Sequence, residues 1–173
     1  EQTVYDFLED VKVGGATKRW QSAFELSKML ASPNLIPQDE IFTQEVIGAF
    51  RKSKQDDPRL RQYLALAMGR TGKAVFFEPL TEGLLDEKEE NLSAVIYAIG
   101  MLKDQRGSAV LNQFLDHRDA RIRSIAVVAI GTIAHPSSRD KLKKALVDSE
   151  PNVQWGAATS LAKMGDRAGK PVI

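Results

Sequence analysis

Gly69, Gly100 and Gly131 stand 31 residues apart, and the chain around each glycine repeats its chemistry at the same step. Displaced by that step, the sequence aligns Ala67, Ala98, Ala129 and Ser160, then Met68, Ile99, Ile130 and Leu161, then Leu60, Asn91, Ile122 and Val153, without an insertion. A period of this size is the signature of a solenoid, in which each unit buries its apolar face only by stacking on its neighbours.

A second set of rows completes the unit. Leu80, Leu111 and Leu142 fall in one row and Leu84, Leu115 and Leu146 in another. Leucines at i and i+4 share a helix face, so each unit reads as a short leucine-striped helix, a polar loop and a second helix rich in Ala, Val and Ile. Asp57 before Pro58 and Glu150 before Pro151 offer N-caps to the second helices, with proline where no amide is missed, and Asp119 offers the same cap without proline. The recurrent glycine carries a helix-propensity cost of roughly 1 kcal/mol. Its three-fold repetition argues for close approach of neighbouring backbones.

Composition narrows the options. A chain of 173 residues with 43 % hydrophobic and 27 % charged residues is that of an ordinary folded protein. The longest apolar run, from Ser124 to Ala134, is shorter than the ~20 residues a membrane span requires and lies within the repeat. No membrane partner is expected. The absence of cysteine removes disulfides and thiol chemistry, and a net charge of +1 gives no global field toward nucleic acid. No signal peptide opens the chain, and the expected compartment is the cytoplasm, although a start at Glu1 leaves a processed terminus open.

The regular units occupy residues 56–165. Residues 1–55 read as a divergent N-terminal capping hairpin followed by the first helix of the next pair: Thr3 to Val11 pairs with Ala16 to Leu30, Pro33 and Pro37 break the chain, and a helix runs from Gln38 to Lys54. Residues 166–173 read as the start of a truncated further repeat, because Ile173 lies in the row of Leu142. The last regular helix offers Val153, Ala157, Ala158, Leu161 and Met164, so an exposed apolar edge, mobility or self-association through the C-terminal end is expected.

The phrase D-P-R-L-R-x-x-L-A-L-A-M-G, echoed by D-A-R-I-R-x-x-A-V-V-A-I-G and E-P-N-V-Q-x-x-A-A-T-S-L-A, resembles HEAT repeats of the short bacterial kind also called PBS-lyase HEAT-like. The resemblance covers roughly Phe42 to Gly165, with Ala16 to Leu30 as a weaker member. It implies an all-α solenoid, an armadillo-like right-handed superhelix of about five HEAT-type hairpins. Proteins that share this fold are mostly scaffolds and adaptors, and a minority are enzymes with added motifs. Deoxyhypusine hydroxylases resemble the array but carry paired His-Glu motifs, whereas His117 and His135 are followed here by Arg118 and Pro136. No bilin-attachment motif is present, and Trp20 and Trp155 lack the acidic neighbour that HEAT-like DNA glycosylases use. The alternative that remains is a phycobilin-lyase-like or nucleic-acid-processing enzyme on the same array.

Three local strings have ordinary readings. Gly69 to Lys73, G-R-T-G-K, resembles the end of a phosphate-binding loop, but Ala67 replaces its first glycine and Ala74 its Ser or Thr, and it follows a helix. A helix terminator in the row of Gly165 is expected instead. His117 beside Asp116 and Asp119 lacks further ligands, and the acidic run Asp86, Glu87, Glu89 and Glu90 reads as a hydrated loop.

With Leu60, Leu64, Ala67 and Met68 buried, the opposite side of the second helices carries Leu66, Tyr97, Val128 and Thr159 in one row, Met101 and Trp155 in flanking rows, and Arg59 and Arg121 at the rim. Second helices line the concave side of HEAT-like arrays. An apolar, aromatic strip beside arginine has the composition of an interface hot spot; packing between adjacent helices is the other explanation. The reading is a non-enzymatic scaffold or adaptor, without cofactor, that holds a protein or peptide rather than a nucleic acid on this surface. HEAT units also carry an Asp–Arg ladder between neighbours, so Arg61 is expected to meet Asp86, and Arg123 to meet Asp148.

Overall fold

Most second helices begin after an acidic residue or a glycine that breaks the chain, and those from residue 58 onward end where the backbone turns left-handed. The computed structural model describes residues 1–172. Among them are ten α-helices: α1 (Val4–Val13), α2 (Ala16–Met29), α3 (Glu40–Lys52), α4 (Pro58–Arg70), α5 (Phe77–Thr81), α6 (Glu89–Leu102), α7 (Gly107–Leu111), α8 (Ala120–Ile133), α9 (Arg139–Ala145) and α10 (Pro151–Lys163). The fold is all-α, and the helices follow one another as five first-and-second pairs. Two compact units divide the chain, Glu1–Ala98 and Ile99–Ile173, with the division inside α6.

In unit 1, α1 packs on α2, α2 beside α4 and α3 on α4. In unit 2, α7 packs on α8, α9 on α10, and α8 beside α10. The core is built from the repeating rows: Leu60, Leu64, Ala67 and Met68 in unit 1 and Ile122, Ala126, Ala129 and Ile130 in unit 2 are buried. The glycine row explains itself sterically. A Cβ on Gly69 would lie 2.7 Å from the Ala98 Cα, and one on Gly100 2.8 Å from the Ala129 Cα, while Gly131 faces Ser160. The Ser160 hydroxyl in turn donates to the Val127 carbonyl at 2.8 Å.

The caps follow the sequence at Asp57 and Asp119, whose carboxylates accept from the Arg59 and Arg121 amides at 2.9 Å. At α10 the expectation is corrected. Glu150 makes no side-chain cap bond; Asp148, two residues earlier, accepts from the Glu150 amide at 3.0 Å and so prepares the turn. The first helices are also shorter than their leucine rows suggest. Leu84 and Leu115 lie in 3₁₀ turns (Leu84–Asp86 and Asn112–Asp116) beyond α5 and α7, and Leu146 caps α9. Helices of five to seven residues cannot sustain themselves in water and persist here by packing.

The C-terminal edge is covered. Val153, Ala157, Ala158 and Leu161 are buried, and Gly169 comes so close that a Cβ there would lie 2.5 Å from the Ala158 Cα. The expected exposed apolar edge is thus occupied by the segment after α10, which turns back through Asp166 N–H to Leu161 O at 2.8 Å. Ile173 lies outside the described residues.

A further row appears only in the backbone. Gly72, Lys103, Ala134 and Gly165, again 31 residues apart, all have positive φ, at 65°, 54°, 58° and 76°. They lie just past α4, α6, α8 and α10, where a left-handed residue turns the chain away from the helix. Gly72 thus ends α4 as the last glycine of the G-R-T-G-K string.

Candidate functional site on the second helices

Arginine at the fourth position of a second helix anchors that helix to its surroundings. In unit 1 the Arg61 Nε and Nη2 donate to Glu87 at 2.8 and 2.7 Å, while Nη1 donates to the Phe50 carbonyl at 2.7 Å and to Ser53 Oγ at 3.2 Å. The guanidinium carbon lies 4.0 Å from the Phe50 ring centroid. The partner is Glu87, not the expected Asp86. Asp86 ends a 3₁₀ turn with its side chain in solvent, and the next residue points inward. Glu87 is therefore no part of a hydrated acidic loop.

In unit 2 the expected rung is present: Arg123 Nε and Nη2 donate to Asp148 at 2.9 and 3.0 Å, and Nη1 to the His117 carbonyl at 2.8 Å. Burial alone would raise the Asp148 pKa, but the Arg123 hydrogen bond and the Glu150 amide hold it below the ordinary value. Arg19 supplies a rung the 31-residue register missed, because it lies 42 residues before Arg61. It too is the fourth residue of its helix, and it donates to the Val11 carbonyl at 2.9 Å and to Asp56 at 3.1 Å. Counting from the helix start would have found it.

The predicted contact residues divide between the units. Arg59, Leu66 and Tyr97 belong to unit 1, and Met101, Arg121, Val128 and Trp155 to unit 2. Tyr97 is 42 % and Trp155 54 % exposed, Val128 is at the surface, and Leu66 and Met101 are half-buried. Arg59 and Arg121 each fold back on the aspartate that caps their own helix, with Nη2 to Oδ2 distances of 2.7 and 2.8 Å. The side-chain bond to Arg121 lowers the Asp119 pKa to about 2.

Unit 1 also assembles an aromatic face that the register did not reveal. The Arg59 guanidinium lies 4.2 Å from the Trp20 ring centroid, the Phe24 and Tyr63 rings are 5.0 Å apart, and Lys28 Nζ is 4.6 Å from the Phe24 centroid. Trp20 and Phe24 on α2 thus meet Arg59 and Tyr63 on α4, with i,i+4 spacing on both helices. In unit 2, Gly156 lets α10 approach α8 at Val127 and Val128.

A model of HEAT repeats matches residues 107–173. Those residues carry HEAT repeats. Its structure resembles the complex of CpcE and CpcF of phycocyanin lyase from a Nostoc species, with a TM-score of 0.77 and 17 % identity over 95 % of this chain and 65 % of that one. The chain therefore spans less than two thirds of that relative's length. It also resembles a designed armadillo repeat protein in complex with the peptide (KR)4, with a TM-score of 0.63, 16 % identity and coverage of 93 % and 81 %, and an engineered protein with a TM-score of 0.64, 17 % identity and coverage of 93 % and 78 %. These likenesses give the armadillo/HEAT solenoid fold. No curated protein matches the sequence.

Within the described residues, no group of three or more His, Cys, Asp or Glu comes together as a metal site, and no helix is long and apolar enough to cross a membrane. Each carboxylate side chain with a displaced pKa is displaced downward by bonds already made: Asp57 by Arg59, Glu82 by Arg51, Asp104 by Arg106, Asp39 by Tyr5. Such groups remain charged at neutral pH, held by partners within the fold.

Proposed function

We propose that this HEAT array is a non-enzymatic scaffold or adaptor that binds a protein or peptide on the exposed side of its second helices. One observation carries the reading: Tyr97 and Trp155 stand in solvent on helices whose remaining large apolar side chains are buried or half-buried. Large aromatic groups are the commonest anchors of interfaces, because they bury much area at little entropic cost. The CpcE–CpcF assembly and the (KR)4 complex give two kinds of occupant for such a fold, a protein and a peptide.

The test is co-purification of the native partner, followed by affinity measurement with Tyr97→Ala and Trp155→Ala. We expect affinity to fall about ten-fold or more for each, as for groups contributing over about 1.4 kcal/mol, with little change in Tm. Unchanged affinity would refute the proposal, as would a fall in Tm that accounts for the loss of binding. A co-purified pigment released by turnover would replace the scaffold with a lyase-like enzyme.

A further inference from the structure

The net charge of +1 conceals a strong segregation. Residues 1–98 hold 12 Lys and Arg against 16 Asp and Glu, a net of −4, whereas residues 99–173 hold 12 against 7, a net of +5. The surplus on each side gathers on first helices, away from the second-helix face. In unit 1, α1 and α3 are tied by Tyr5 to Asp39 at 2.7 Å and by Lys12 to Glu45 at 3.2 Å. Together with their flanks they carry Glu1, Asp6, Glu9, Asp10, Asp39, Glu40 and Glu45 against Lys12, Lys18, Arg51 and Lys52, the last two in the final turn of α3. In the middle of this acidic field, Ile41 is 74 % exposed and lines a shallow groove with Glu40, Gln44 and Glu45.

Unit 2 presents the inverse. Within seven residues α9 carries Arg139, Lys141, Lys143 and Lys144 against Asp140. Lys141 and Lys144 line a groove with Leu115 and two aspartates, Asp116 and Asp148, the latter already paired with Arg123, and Val147, just beyond the helix, is 84 % exposed. Each face sets an exposed apolar side chain among charges that are mainly of one sign, and the prevailing signs are opposite. A polar rim around an apolar centre is the anatomy of a protein interface, and charge of one sign repels a like face while steering an unlike one.

We propose that the α1–α3 face of one copy docks on the α9 face of a second copy, with Ile41 and Val147 meeting at the centre and Glu40 and Glu45 facing Lys141 and Lys144. The occupant is a second copy because the chain itself carries both complementary surfaces. Like faces repel, so the contact pairs unlike faces of the two copies. It leaves the second helices available for their own partner.

The test is sedimentation of the intact chain across a concentration series at low and high salt. We expect the weight-average mass to rise with concentration at about 0.01 M salt and to return to the monomer near 1 M, where the screening length falls to about 3 Å. The doubly reversed variants Lys141→Glu with Lys144→Glu, and Glu40→Lys with Glu45→Lys, should each remain monomeric alone. Mixed in equal amounts they should associate again, since every contact in the mixture pairs opposite faces. Glu40, Lys141 and Lys144 are exposed and Glu45 is half-buried beside Lys12, and circular dichroism should show both variants folded. A wild-type monomer at every salt and concentration would overturn the proposal, as would association that ignores the reversals. So would a wild-type monomer whose α9 face instead binds polyglutamate or single-stranded DNA, with binding lost on Lys141→Glu and Lys144→Glu; the basic face would then serve a different anionic partner.

Discussion

Replacing Arg61 with methionine should cost far more stability than removing either other rung of the ladder, and burial is the reason. The side chains of Arg61 and Glu87 are 5 % and 1 % exposed, those of Arg123 and Asp148 14 % and 13 %, and those of Arg19 and Asp56 26 % and 33 %. Methionine preserves much of the stem's packing but removes all of its donors. The Phe50 carbonyl keeps the Ser53 hydroxyl at 2.6 Å, so it is not orphaned. Glu87 is. Its remaining side-chain donor is Asn91 Nδ2 at 3.3 Å.

An uncompensated buried carboxylate of this kind costs about 3 to 5 kcal/mol, whereas a wet pair such as Arg19–Asp56 contributes about 1 kcal/mol or less. Arg123→Met should fall between them. For a chain of this size each kcal/mol moves Tm by roughly 2 to 4 °C, so Arg61→Met should lower it by about 6 °C or more. The decisive comparison is Arg61→Met with Glu87→Leu. If the penalty is the stranded charge, removing that charge as well should recover most of the loss, because apolar groups of similar volume commonly replace a buried ion pair at little net cost. Urea melts followed by far-UV circular dichroism supply the numbers. The reasoning fails if Arg61→Met costs no more than Arg19→Met, or if the double variant is no more stable than Arg61→Met alone.

Two further outcomes are expected. Lys103→Gly and Ala134→Gly should each stabilise by about 0.5 to 1 kcal/mol in the same melts, since glycine relieves a left-handed strain of about 1 to 2 kcal/mol at some entropic cost; a loss of stability at both sites would contradict the backbone assignment. Asp119 has a depressed folded-state pKa, so its contribution is complete above the ordinary carboxyl value of 3.8 and lost as pH falls toward about 2. The Tm gap between wild type and Asp119→Asn should accordingly narrow below pH 3.8 and close near pH 2, and a gap constant across that window would remove Arg121 as the cause.

What could be read from the sequence followed the physical origin of each feature. The glycine and alanine rows were legible because an approaching backbone admits only small side chains, so the same chemistry recurs at every step: Gly69 against Ala98, Gly100 against Ala129, Gly131 against Ser160. The left-handed row was half legible, because Gly72 and Gly165 announce it whereas Lys103 and Ala134 adopt the same φ without the residue type that signals it. The ladder was legible where strict register holds, at Arg123 and Asp148. It slipped by one residue at Glu87, since a 3₁₀ turn sets the direction of the next side chain in a way that spacing does not encode. It was lost at Arg19, whose helix is offset from the array.

The row one step outward from the alanines behaves differently for the same reason. At this place the second helices carry Phe24, Leu66, Tyr97, Val128 and Thr159, five residue types in one register counted from the helix start. They are half-buried or exposed, so the stacking of the repeats dictates their size and polarity less than it does in the buried alanine row. A packing row constrains every unit to one answer, while a less constrained row lets each unit present its own. On the scaffold function proposed above, the contacts that discriminate one partner from another lie among the positions where the period breaks down. The regularity that makes the fold readable therefore carries no information about the partner, and Tyr97 and Trp155 become informative because they do not repeat along the 31-residue register.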